Sequence, residues 1–165
     1  MQGLLATAAE LGQYLRARGA TVAVAESSAG GLVAAALLAQ PGASAYFVGG
    51  AVVYTQQVRE GLLGIVHADM EAIRPASEAY ALLLARRMRA RLGAKWGLAE
   101  TGAAGPAGNR YGDAPGHACI ALSGPVELAR TIETGSDDRV ANMRAFAAAA
   151  LSLLAEGLLV SSDGT

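Results

Sequence analysis

The chain predicts an α/β protein, a three-layer α/β/α sandwich with a mixed, mostly parallel sheet. Amphipathic helical stretches alternate with short, β-rich apolar runs, the pattern of helices packed against a sheet. Those runs lack polar alternation, as strands buried on both faces do. Two later extended segments, separated only by Ser123-Gly124-Pro125, read as an antiparallel pair and make the sheet mixed.

Taken in order, Leu4, Leu5, Ala8, Leu11 and Leu15 recur at spacings of three and four, which predicts a helix over 3–18 ending at Gly19. Thr21–Ala25 follows as a buried strand. Glu26-Ser27-Ser28-Ala29-Gly30-Gly31 then leads into an Ala/Leu helix that stops before Pro41-Gly42. Tyr46–Tyr54 is extended, with Gly49-Gly50 marking a bulge or a close approach. Gln56–Leu63 reads as a short helix. Pro75-Ala76-Ser77-Glu78 opens a longer one, whose apolar face carries Leu82, Leu83, Ala85, Met88 and Leu92. Trp96–Ala99 is a third strand and 101–116 a long Gly/Pro/Asn loop, of a length associated with function or mobility. His117–Leu122 pairs with Val126–Thr134. Asp137-Asp138 caps a last helix over about 138–158, followed by a frayed tail.

Composition bounds the function. The 165 residues, 53% hydrophobic and 16% charged, suit one domain (1–165, core about 5–158) and exclude disorder. A net charge of −1 argues against nucleic acid or an anionic membrane as partner. The apolar stretches around 31–39 and 145–154 are shorter than the ~20 residues of a membrane span, and the N-terminus lacks a signal-peptide pattern, so a cytoplasmic protein is expected. Cys119 is the only cysteine, which excludes a disulfide framework or a cysteine-built zinc site. His67, in a loop, has no second ligand at metal spacing, so no metal is expected and His67 reads as a surface residue. Of the 13 basic residues, twelve are arginine and only Lys95 is lysine. A mechanism that needs a deprotonatable side-chain amine has one choice.

Two glycine-bearing loops follow strands. In Glu26–Gly31, a turn entering a helix can present amides to an anion, and a hydroxyl there can act as nucleophile beside an oxyanion hole. The plainer reading makes Ser27 or Ser28 an N-cap only. In Thr101-Gly102-Ala103-Ala104-Gly105-Pro106-Ala107-Gly108, Gly102 and Gly105 allow backbone amides to approach a ligand closely, or serve only a flexible turn. If the two preceding strands are parallel neighbours, both loops emerge at one sheet edge, where open α/β sheets bind ligands.

These residues resemble the C-terminal domain of the CinA family, which includes nicotinamide mononucleotide (NMN) deamidases. The family's A-E-S-C/S-T-G-G stands here as Ala25-Glu26-Ser27-Ser28-Ala29-Gly30-Gly31. Its P-G-S-S-A-Y-F-x-G-G-V-V-x-Y-S is similar to the run from Pro41 to Thr55, and its T-G-I-A-G-P to Thr101–Pro106; order and spacing match over about 5–155. The resemblance implies hydrolysis of the NMN amide to nicotinate mononucleotide and ammonia. A serine at the position of Ser27 attacks the carboxamide, with a tyrosine at that of Tyr54 nearby. A lysine five residues further on, at Arg59, activates the serine. Glu26, Ser28, Gly30, Gly31, Thr101, Gly102 and Gly105 would form the substrate cradle. The resemblance further implies a pyridine nucleotide as partner, no metal or organic cofactor, and a homo-oligomer. Larger members carry an N-terminal nucleotide-hydrolysing domain, for which this chain has no room.

Departures bear on the chemistry. Where the family has Y-S-N-E-A-K, the chain has Tyr54-Thr55-Gln56-Gln57-Val58-Arg59, and a guanidinium with a pKa above ~12 cannot take the serine proton. Lys95 precedes the third strand, at the end away from Ser27. The threonine of the first loop is Ala29, and the family's K-P-V-G is Asp113-Ala114-Pro115-Gly116. Glu100 or His117 could supply a base, and Arg59 could bind phosphate or an oxyanion. Each also has a structural reading: Glu100 as an ion-pair partner, His117 as a solvated strand-start residue, Arg59 as a helix-surface charge. Alternatives to the deamidase are a CinA-like nucleotide-binding module without turnover and an amidohydrolase with a changed base or substrate.

Overall fold

A computed structural model describes residues 1–161. Its elements in order are α1 (Gln2–Ala17), β1 (Val22–Glu26), α2 (Leu32–Leu38), β2 (Phe47–Val52), α3 (Gln56–Leu63), α4 (Glu78–Leu92), β3 (Trp96–Ala103), β4 (His117–Ser123), β5 (Glu127–Glu133) and α5 (Arg139–Val160). Two start signals act as expected, Ser77 Oγ accepting from Tyr80 N–H and Asp138 Oδ1 from Ala141 N–H, and Thr55 Oγ1 caps α3 in the same way by accepting from Val58 N–H.

The strands form one sheet in the order β2-β1-β3-β4-β5. β1 pairs in parallel with β2 and β3, while β3–β4 and β4–β5 are antiparallel, so only β4 runs against the others. The C-terminal ends of β1, β2 and β3 therefore share one edge, and both glycine loops open there. At Gly49-Gly50 both expected features occur. The β1–β2 register shifts between Val22↔Phe47 and Ala23↔Gly49, and a Cβ on Gly50 would meet Ala34 Cβ at 3.1 Å.

Alternating side chains divide the core in two. On one face Val22, Val24, Leu98, Ile120 and Leu122 pack with α1, α2 and α5. On the other, Ala23, Ala25, Ala99, Cys119 and Ala121 pack with Leu63 of α3 and with α4, completing three layers. The second face is floored by small residues because α4 lies close to the sheet. A Cβ on Gly97 would overlap the Ala85 carbonyl. The buried face of α4 is consequently Tyr80, Ala81, Leu84, Ala85 and Met88. Of the face expected from sequence, Leu82 and Leu83 are only half-buried and Leu92 is exposed.

Two other expectations need correction. β3 continues past Ala99 to Ala103 and pairs with β4 along that length, so the long loop begins at 104. α5 runs to Val160, two residues beyond the expected end, and the rest of the expected frayed tail, 162–165, lies outside the described residues. By length and composition α5 would suffice to cross a membrane. Here Phe146, Ala147, Ala150, Leu151, Leu154 and Leu158 bed it against the sheet, α1 and α2 as a core helix.

Gly97→Ala is expected to lower stability by about 1–3 kcal/mol, since α4 must move away from β3. Gly61→Ala, in an exposed turn of α3 with no atom within 4 Å of the added carbon, should raise it by about 0.5–1 kcal/mol. Urea denaturation of both variants checks the opposite signs.

Candidate functional site

Two acidic side chains underlie the first glycine loop. Glu26 ends β1 and is buried, and its carboxylate accepts from Val33 N–H at 2.8 Å and Ala34 N–H at 2.9 Å. It thus satisfies the start of α2, whose cap, the left-handed Gly31, offers no side chain. Glu100 on β3 is fully buried, and its Oε2 accepts from Ser27 N–H at 3.0 Å and Ala29 N–H at 2.8 Å. Its Oε1 has no hydrogen-bond partner among the described residues. Burial raises both carboxyls, against the pull of the amides. Glu100, with Glu26 nearby, is pushed up to about 7.

This arrangement corrects the expected cradle. The amides of Ser27, Ala29, Val33 and Ala34 turn inward to carboxylates, and Gly30 N–H donates to the Ser27 carbonyl. Ser28 N–H makes no hydrogen bond among the described residues. Glu26 lies beneath the loop, in contact with α2. Ala29 is completely buried, so its difference from threonine is a matter of packing. Gly30 and Gly31, at φ +67° and +95°, shape the turn and line neither the cleft nor the hollow described below.

Above the loop lies a cleft of about 540 Å³ that brings together Ser27, Tyr54, Arg59, Thr101 and Gly102. Its size is within the ~300–1,000 Å³ range of small-ligand sites. Gly102 owes its small size to strand pairing, because a Cβ there would overlap the His117 carbonyl across β3–β4. A smaller adjoining hollow of about 210 Å³ holds Ser28, Gly105 and Arg139 and shares Tyr54 and Gly102 with the cleft. Ser28 Oγ donates to the Gly102 carbonyl at 2.6 Å, tying the two loops together. Arg139 donates to the Gly105 carbonyl and, at 3.3 Å, to the Tyr54 hydroxyl.

Among the described residues, none of the base candidates is hydrogen-bonded to the Ser27 hydroxyl; Glu100 meets Ser27 only through its backbone amide. The Glu100 carboxylate holds backbone amides under the loop and does not line the cleft. His117 is buried on β4, with Nδ1 against the Glu133 carboxylate and Nε2 2.9 Å from the Ala76 carbonyl. Burial opposes its protonation, but Glu133, the Ala76 carbonyl and Asp113 outweigh it and raise its pKa. Both ring nitrogens thus face oxygen acceptors, and the ring is neither solvated nor part of the cleft lining. Lys95 sits beside Trp96 at the opposite end of β3, with its amide on Thr21 Oγ1. Arg59, expected as a possible surface charge, is 8% exposed and lines the cleft.

Sequence reasoning passed over Tyr80, Asn109, Arg110, Tyr111 and Arg139, and placed His67 at the surface, where it is exposed yet forms part of the cleft wall. The loop signal was legible in Asn109-Arg110-Tyr111-Gly112-Asp113. Asn109 Oδ1 accepts from the amides of Tyr111 and Asp113, an Asx-type turn, and Arg74 bridges Asp113 at 2.6 Å. That hydrogen bond holds the Asp113 carboxyl below its usual range.

Residues 5–158 match the CinA C-terminal domain family. A CinA-like protein of Synechocystis is 44% identical over 118 residues, covering 72% of this chain and 28% of that protein. A CinA-like protein of Myxococcus xanthus is 39% identical over 160 residues, covering 94% and 37%. The chain thus spans well under half the length of these relatives. Among solved structures, a CinA superfamily protein from Klebsiella pneumoniae superposes with a TM-score of 0.88 at 25% identity, covering 94% of this chain and 98% of that one. A competence/damage-inducible protein from Agrobacterium tumefaciens gives 0.81 at 28% identity, covering 91% and 94%.

An unfolded glutamate titrates near 4.5 and Glu100 near 7. Between these values the folded chain binds the extra proton, so this contribution to stability falls as pH rises through the window and levels off above it. Glu26 and His117, both raised, act in the same direction. Glu100→Gln keeps an oxygen for both amides without the charge. Relative to the parent it should become more stable by roughly 1–3 kcal/mol between pH 5 and pH 8. Denaturant unfolding at unit pH steps checks this, and a gap that stays constant with pH counts against it.

Proposed function

Because the chain belongs to the CinA family through its C-terminal domain, we propose that the cleft receives a pyridine nucleotide and that Ser27 hydrolyses the carboxamide of NMN. The observation that carries this reading is the convergence of Ser27, Tyr54, Arg59 and Thr101 on one cleft, with the Ser27 backbone held from below by Glu100. Ser27 Oγ adds to the amide carbon, the C–N bond breaks and ammonia leaves with the serine proton. Water then cleaves the resulting ester to nicotinate mononucleotide and restores the serine. Ser28 N–H, the amide following the nucleophile, is available to the developing oxyanion. Glu26, Gly30 and Gly31 shape the loop, while Ser28, Thr101, Gly102 and Gly105 form the nucleotide side of the site.

The reading includes a cytoplasmic, self-associating protein with no metal or organic cofactor and no nucleic-acid or membrane partner, in keeping with a net charge of −1. One observation favours a second reading, a nucleotide-binding module without turnover. Arg59 stands at the family's lysine position, and Glu100 and His117 are engaged elsewhere.

Ammonia release from NMN separates the two. Under the first reading release is measurable, and Ser27→Ala reduces it by at least about 10³-fold. Arg59→Lys restores an amine that can take the proton and raises kcat by about 10²–10⁴-fold. Tight binding of NMN without serine-dependent ammonia selects the binding module.

A further inference from the structure

Arg59 has too few partners for a buried cation. It is 8% exposed, and among the described residues its Nε has no hydrogen-bond acceptor. The acid across from it, Glu60, lies 3.8 Å away from Nη2, and the same Glu60 oxygen already accepts from Gln56 at 2.8 Å. The side chain of Tyr80, a buried residue, also meets the guanidinium. A buried charge whose ion pair is long and shared is poorly compensated, so such a site favours an anionic occupant.

The rest of the cleft has the same sign. Among the described residues, no Asp or Glu lines either the cleft or the adjoining hollow, whereas Arg59, Arg110 and Arg139 do. Chemistry then decides which anion suits Arg59. A guanidinium has five N–H donors and no acceptor, and its fork matches a carboxylate with two parallel hydrogen bonds. A carboxamide offers it one oxygen and opposes a second donor with its own NH₂. A neutral lysine amine can accept a proton and pair with an amide, whereas an arginine cannot accept a proton and pairs with an amide through one oxygen only.

We infer that Arg59 makes the cleft selective for a pyridine nucleotide bearing a ring carboxylate over one bearing the carboxamide, so that the deamidated form is the better ligand. This rests on the cleft being a pyridine-nucleotide site, as proposed above, and holds whether or not Ser27 turns the amide over. Where turnover occurs, the product remains bound by the residue that stands where the base would be.

The test is calorimetric titration of the full chain at pH 7 with nicotinate mononucleotide and with NMN. A Ser27→Ala background keeps the amide intact. The acid is expected to bind about 10- to 100-fold more tightly than the amide. Adding Arg59→Gln, whose side-chain amide can pair with either ligand, should bring the two affinities within about threefold, with circular dichroism confirming the fold. Equal affinities, a preference for the amide, or a preference that survives in the folded Arg59→Gln protein would each overturn the inference while leaving the nucleotide site standing. Failure of both nucleotides to bind overturns that reading as well. The comparison of the two ligands in the Arg59 protein stands even if the glutamine variant does not fold.

Discussion

Two buried carboxylates hold the functional edge of this protein in place. Glu26 ends β1 and takes hydrogen bonds from the first turn of α2, while Glu100, on the neighbouring parallel strand β3, takes them from the loop between β1 and α2. Without them the amides of Ser27, Ala29, Val33 and Ala34 would be buried and unsatisfied, each at a cost of about 1–3 kcal/mol. The carboxylates thus fix both the direction of α2 and the height at which Ser27 stands over the sheet. Burial in a dry interior, with a smaller contribution from the charge of Glu26, pushes the Glu100 carboxyl up to about 7.

The same constraint divides labour between the faces of the loop. Inward-facing amides serve the fold, and few groups are left to serve a ligand: a hydroxyl, one amide and the arginines around them. The helix start that looks like an anion site in the sequence is already filled by the protein's own glutamate. Positive charge for a ligand comes instead from side chains on three separate elements: Arg59 on α3, Arg110 on the loop after β3, and Arg139 at the first turn of α5.

Most of the fold was legible because its signals are local. Gly19, Thr55, Ser77 and Asp138 punctuate helices, and the apolar runs at 22–25 and 96–99 identify central strands. What escaped depends on contacts between distant segments. The continuation of β3 through Glu100–Ala103 is invisible in a stretch rich in Gly and Thr, since it is stabilised by pairing with β4. The core face of α4 is set by how closely Ala85 approaches Gly97, which hydrophobicity alone does not encode. In the site, Ser27, Tyr54, Arg59 and Thr101 could be found because sequence motifs mark them. Tyr80 and Arg139 could not, because only the tertiary fold carries them to the cleft. Glu100 was noticed for its unusual place, and its neighbours decide its role.

Ala76 sits on the cleft rim with φ +55°, a conformation that disfavours any residue with a β-carbon. Its carbonyl is gripped from behind by His117 Nε2 and the Cys119 thiol, and His117 is in turn held by Glu133 of β5, the strand at the far edge of the sheet. The mould of the pocket is therefore written partly in residues that no ligand would ever touch. An engineer who exchanges only the wall side chains to recruit a new molecule inherits a rim whose contour is dictated from the opposite margin. Laboratory evolution of this scaffold has reason to sample β4 and β5 alongside the cleft itself.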